Sequence, residues 1–278
     1  MFGYLRTIPV GLNLVARVRL EYPPAMIEPF CVIAQTFAIC FEKALQLFSF
    51  TSFKGKQGYA NIELQSMQGI NSLFYVIVLI MSVVVHEVAH GFAAESQGDP
   101  TARLAGRLTM NPLKHIDMIG SVVLPLILVL TNAGFLIGWA KPVPYDERNL
   151  RNKKWGTIAV ASAGILANIG LAVIFGVAMR FAGFLGSAAP AFMAIAGTIV
   201  LVNLLLALFN LIPIPPLDGS KILFALIPET PQTLEFQSKM QYLALPLLLV
   251  FIFFVWPHVV PAIGFLFTLI TGIPFAFS

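Results

Sequence analysis

His86, Glu87 and His90 fall within five residues, HEVAH, at the end of a stretch from Ile70 to Val85 (INSLFYVIVLIMSVVV) that carries no charge. An H-x-x-x-H pair on a helix presents both imidazoles on one face, one turn apart, which suits a shared metal ion. The glutamate beside the first histidine completes H-E-x-x-H, the pattern in which the carboxylate acts as general base toward a zinc-activated water. Such a pattern arises by chance in some chains, and a lone histidine in an apolar helix is commonly just a buried, hydrogen-bonded side chain. Here, however, two of the chain's four histidines stand in one turn. Ionisable groups at membrane depth oppose insertion and usually mark a functional site, so the motif reads as a metal centre.

Catalytic zinc commonly takes three protein ligands and keeps one position for water. The best candidate for the third is Asp218, in NLIPIPPLDG (Asn210–Gly219). Pro213, Pro215 and Pro216 forbid a regular helix there, so the backbone unwinds and can aim a carboxylate inward. The competing reading is a proline-rich loop whose aspartate caps the next helix. His115, Asp117 and His258 are the other candidates. The first two sit in a polar loop and read as solvated groups; the last, beside Pro257, reads as an interfacial turn. Asn168, Asn203 and Asn210 lie within or at the end of apolar runs. Amides there either join helices by hydrogen bonding or, for Asn168 and Asn210, donate to a substrate carbonyl or its developing oxyanion.

The elements that must position these groups are membrane helices. The chain is 58% hydrophobic and 11% charged, about half the charge share of soluble domains. Its apolar runs are continuous rather than alternating, which excludes a β-barrel and indicates an all-α polytopic membrane protein with about five to six transmembrane helices. Expected spans are 26–50, 70–94, 156–179 and 191–212, with 242–277 forming one span, two, or a hairpin. The stretch 118–139 contains Pro125, Gly134 and Gly138. It lies between two basic loops, 95–117 and 141–154, that should share the cytoplasmic side; both can do so if it enters and returns instead of crossing. Three regions follow: an N-terminal segment 1–69 with one transmembrane helix, a core 70–225, and C-terminal membrane segments 226–278. Cys31 and Cys40 fit no zinc spacing and read as packing residues. Residues 1–25 lack the apolar run and cleavage site of a signal peptide. No basic-aromatic pattern suggests nucleic acid.

HEVAH, GWAKPVP (Gly138–Pro144), SAGILAN (Ser162–Asn168) and NLIPIPPLDGS (Asn210–Ser220) occur in an order and setting that resembles the site-2 proteases, the intramembrane zinc metalloproteases, in their short prokaryotic-type branch without PDZ or CBS domains. The resemblance covers about residues 70–225. It implies a three-helix catalytic core near the cytoplasmic face of a prokaryotic plasma membrane, with a re-entrant or short β element between its first two helices. It further implies His86, His90 and Asp218 as ligands of one zinc ion, Glu87 as general base and proton shuttle, and Asn168 and Asn210 as groups that hold or polarise the substrate. Ile165 stands where the family has proline, which bears on the local start of that helix; Asn168 remains.

The expected reaction is hydrolysis of a peptide bond within or beside a transmembrane helix of a membrane-protein substrate. The substrate must unwind, and GWAKPVP has the character of an edge element that could pair with it by β-addition. The rival class is a non-catalytic membrane metal-binding or transport protein, since intramembrane His and acidic groups also line ion pathways; the intact glutamate favours hydrolysis. Substrate identity and oligomeric state are not legible in the sequence.

Overall fold

The computed structural model describes residues 63–123, 127, 130, 131 and 140–275, with side chains from residue 74 onward. The expected span at 26–50, Cys31, Cys40 and most of 118–139 lie outside the described residues. Helix α1 (Glu63–Ser96) carries HEVAH in its last third. Helix α2 (Lys153–Arg180) starts at Asn152, whose side chain accepts from the Trp155 amide at 3.0 Å. A 3-10 stretch (Ala182–Ala188) leads into α3 (Ala189–Asn210). Then come α4 (Asp218–Leu226) and α5 (Pro231–Tyr242), the latter opened by a Thr230–Thr233 capping box. Finally α6 (Ala244–Val250), a π-helical turn (Phe251–Val255) and α7 (Trp256–Thr271) follow one another without a break.

Four of these rods are long and apolar enough to cross a membrane: Phe74–Ser96, Lys153–Arg180, Ala182–Asn210 and Ala244–Thr271. Their outer faces are apolar and open, with Leu166, Ile174, Phe254 and Phe265 all more than 60% exposed. In lipid such a face requires no further cover, and a helix satisfies its own backbone groups. The last rod corrects the expectation of an interfacial turn at Pro257–His258. Pro257 lies within the rod, directly after the π-helical turn at Phe251–Val255, and His258 sits exposed on the continuing helix.

The core lies where α1, α2, α3 and α7 meet. Val78, Ala172, Val200, Leu204, Phe209, Trp256, Ile263 and Phe267 are all buried there. Trp256 packs edge-on against Phe209, ring centroids 5.6 Å apart, a geometry the ring quadrupoles favour. One turn deeper than His86, Asn203 donates from Nδ2 to Ser82 Oγ at 3.0 Å and joins α3 to α1. This is the helix-joining role open to an amide in an apolar span.

The segments between α1 and α2 fold over one end of the bundle. Ile116 and Ala140 form an antiparallel bridge, and the Lys141 amide donates to His115 O at 2.8 Å. The segment 117–139 therefore begins and ends at one point. After it, residues 140–146 form an irregular strap without helix. Arg107 donates to Lys141 O at 2.7 Å. Asp99 accepts from the Asp146 amide at 2.7 Å, from Asn149 Nδ2 at 2.9 Å, and from both the amide and hydroxyl of Thr101. Burial opposes ionisation of Asp99, but these donors hold its carboxyl below the usual range. His115, expected to be solvated, is instead 2% exposed and donates from Nε2 to Thr109 O; it braces the strap. Asp117 accepts from the amides of Ile119 and Gly120 and so caps the next turn.

After α3 the chain bends through Leu211–Leu217 and turns back, with Asp218 as the first residue of α4. Gly219 makes this turn possible. A Cβ there would lie 2.2 Å from Leu211 O and 2.5 Å from Ile212 O, and both are backbone atoms of the turn that brings Asp218 back to the bundle. Gly219→Ala should therefore destabilise the fold by about 3 kcal/mol or more. Thermal unfolding in detergent, compared with Gly170→Ala, whose Cβ would meet nothing within 4 Å, checks this.

Candidate metal centre

Three helices bring the candidate ligands together. His86 and His90 stand one turn apart on α1, and their rings meet edge to face with centroids 4.5 Å apart. Helix α2 runs antiparallel beside them. Val160 O accepts from His90 Nδ1 at 2.7 Å, which fixes the proton on Nδ1 and leaves the Nε2 lone pair free for a cation. Gly164 allows that approach, since a Cβ there would lie 2.6 Å from both His86 Cε1 and His90 Nε2. Asp218 enters from the start of α4. Its Oδ2 lies 3.0 Å from His86 Nε2 and 3.0 Å from His90 Nε2, and the two Nε2 atoms are 3.0 Å apart.

All three side chains are buried, and together they form a group that could hold a metal ion. A tetrahedral ligand set at about 2.1 Å spaces its donor atoms about 3.4 Å apart. The observed triangle therefore fits zinc after opening by a few tenths of an ångström. Two imidazole nitrogens and one carboxylate oxygen are also the donor chemistry zinc takes. Asp218 is not used as a helix cap; Leu217 occupies that position, with no side-chain cap bond. Burial would push the Asp218 carboxyl up, but the charge of Lys221 holds it well below the usual carboxylate range.

Glu87, on the same turn, accepts from the Val143 amide at 2.8 Å. The local sequence singles out this donor. Pro142 and Pro144 have no N–H, and a residue before proline is biased toward an extended backbone. Val143 thus carries the one backbone donor between Lys141 and Tyr145, and it goes to Glu87. Asn168, one turn beyond Gly164 on the same face of α2, is fully buried, and neither of its amide atoms has a hydrogen-bond partner. Asn210 donates to Leu206 O at 3.0 Å and sits half-buried at the end of α3. Among the described residues, His115, Asp117 and His258 do not join the ligand group.

Three contributors went unread in the sequence. Gly164 was visible only as part of a motif, although a small residue on the α2 face opposite two histidines is itself a packing signal. Lys221 stands three residues after Asp218, on the same helix face. Val143 acts through its backbone, and only the flanking prolines hint at it.

The fold and site define a polytopic helical membrane protein with a two-histidine, one-aspartate centre buried between its helices. A model of peptidase family M50 matches residues 180–255, a stretch that includes Asp218. A Bacillus subtilis (strain 168) protein named "Putative zinc metalloprotease YwhC" is 39% identical over 163 residues, 56% of this chain and 69% of that protein. A Mycolicibacterium smegmatis protein named "Putative zinc metalloprotease Rip2" is 31% identical over 172 residues, 62% of this chain and 64% of that protein. No solved structure matches. The chain belongs to peptidase family M50, the site-2 type of membrane metalloprotease.

The geometry predicts how metal content responds to mutation. Purified protein should carry one zinc per chain, and Asp218→Ala should lower that ratio sharply. Gly164→Ala, which drives a methyl into the histidine pair, should lower it as well, while Gly170→Ala should not. Inductively coupled plasma mass spectrometry on folded, size-selected protein reads all three.

Proposed function

We propose that the protein is a zinc-dependent intramembrane endopeptidase in which His86, His90 and Asp218 hold the metal and Glu87 is the general base. The observation that carries this reading is the convergence of those three ligands, with Glu87 on the same turn, between helices long enough to span a bilayer. Bound zinc supplies Lewis acidity and brings the pKa of its water toward neutrality. Glu87 takes the proton from the attacking water and later returns it to the leaving amine. The Val143 amide orients the Glu87 carboxylate while leaving its second oxygen free. The Asn168 and Asn210 side chains hold or polarise the substrate carbonyl.

The substrate is a transmembrane protein whose helix unwinds near the site, since a helix hides its carbonyls in internal hydrogen bonds. The strap at 140–146 offers a non-helical backbone beside Glu87 against which such a segment can lie. Residues 70–225 form the catalytic core and 226–278 the C-terminal membrane segments. The Ile116–Ala140 bridge, which pairs the two flanks of 118–139, supports an element there that returns to the side it left. Arg103, Arg107, Lys114, Lys141, Arg148, Arg151, Lys153 and Lys154 lie at the strap end of the bundle, whereas Arg180 ends α2 on the opposite side. By the positive-inside bias the strap end, and with it the active site, faces the cytoplasm of a prokaryotic plasma membrane.

Glu87→Gln tests the reading. It should keep one zinc per chain and lose cleavage by about 10²–10⁴-fold, so that membrane-protein substrates accumulate uncut in cells carrying the variant. Quantitative mass spectrometry of the membrane fraction identifies them. Undiminished turnover would reject Glu87 as the general base, and a parent protein that binds zinc but cleaves nothing would favour a metal-binding or transport role.

A further inference from the structure

The two oxygens of Asp218 have different partners. Oδ2 faces both imidazoles at 3.0 Å, while Oδ1 accepts from Lys221 Nζ at 2.9 Å. Lys221 follows by three residues on α4, so the two side chains share a helix face. Its ammonium also lies 5.9 Å from the centroid of the Tyr145 ring on the strap, a cation–π contact that restrains it. The Lys221 side chain is only 32% exposed, against 6% for Asp218. Lysine in the first turn of a helix is disfavoured by the helix dipole, which prefers anions there. A partly sequestered ammonium at a helix N-terminus therefore has a specific use, and the contact it makes is with a metal-ligating carboxylate.

A carboxylate can give a metal one oxygen or two. With two imidazoles already present, a second oxygen from Asp218 would fill the position that a hydrolytic centre keeps for water. We propose that Lys221 is a positioning residue that holds Asp218 Oδ1 away from the metal, so that Asp218 serves as a one-oxygen ligand and the water position stays open. This rests on the metalloprotease reading above and adds to it the group that keeps the centre catalytic rather than closed. Tyr145 holds the ammonium from the strap side, so the segment that orients Glu87 also helps fix the mode of ligation.

The test is cobalt substitution of the full-length protein in detergent, with absorption spectra and zinc affinity by chelator competition for the parent, Lys221→Met and Lys221→Arg. The parent should give the intense visible bands of four-coordinate cobalt. Lys221→Met should give weaker bands of higher coordination. It should also bind zinc about tenfold tighter or more, because one positive charge is gone and an oxygen has been released to the metal. Lys221→Arg, which keeps a cationic donor, should restore the parent spectrum. A role in folding alone predicts the opposite affinity change, since a damaged site binds metal more weakly. An unchanged spectrum in Lys221→Met, weakened zinc binding in it, or failure of Lys221→Arg to restore the parent bands would overturn the proposal. A parent that takes up no stoichiometric cobalt or zinc would overturn the metal centre itself.

Discussion

The structure depends on keeping two imidazoles and a carboxylate within 3.0 Å of one another inside a bundle whose outer surface is made for lipid. A desolvated polar group costs free energy unless it finds a partner. Most of the groups at this centre find one, while His86 Nδ1 and the Asn168 amide have none among the described residues. Val160 O takes the His90 Nδ1 proton, Lys221 takes Asp218 Oδ1, and the Val143 amide takes Glu87. What remains directed at the centre is three donor atoms with lone pairs, and a cation completes that arrangement.

The rest of the fold serves this convergence. Gly164 lets α2 lie against the histidine pair, and Gly219 lets α4 fold onto the end of α3 so that Asp218 points back into the bundle. Asp99, Arg107 and the His115 backbone carbonyl bind the strap over the same end. Each device is backbone-close or buried, so a small change at any of them propagates to the ligands.

Much of this was legible in the sequence because it rests on local pattern. HEVAH at the end of an uncharged run marks the ligand helix, and the prolines before Asp218 mark the unwound turn. The long apolar runs mark the spans, since lipid demands little of a helix beyond length and hydropathy. What escaped depends on tertiary contact. His115 reads as solvated in a polar loop, yet it is buried and bonded to Thr109 O. Pro257 reads as part of an interfacial turn, yet the rod runs on through it after a π-helical turn. Lys221 carries no signal in the sequence, and its role shows only in the contact with Asp218 Oδ1. Val143 contributes a backbone N–H, which no residue pattern reports except through its flanking prolines.

The central claim is that one divalent cation sits among His86, His90 and Asp218. Zinc-edge X-ray absorption on the purified protein tests it most directly. The account predicts a nitrogen and oxygen shell at about 2.0–2.2 Å, with the multiple scattering of two imidazoles and no sulfur. A sulfur shell at about 2.3 Å, or a spectrum unchanged when Asp218 or either histidine is replaced, would contradict it.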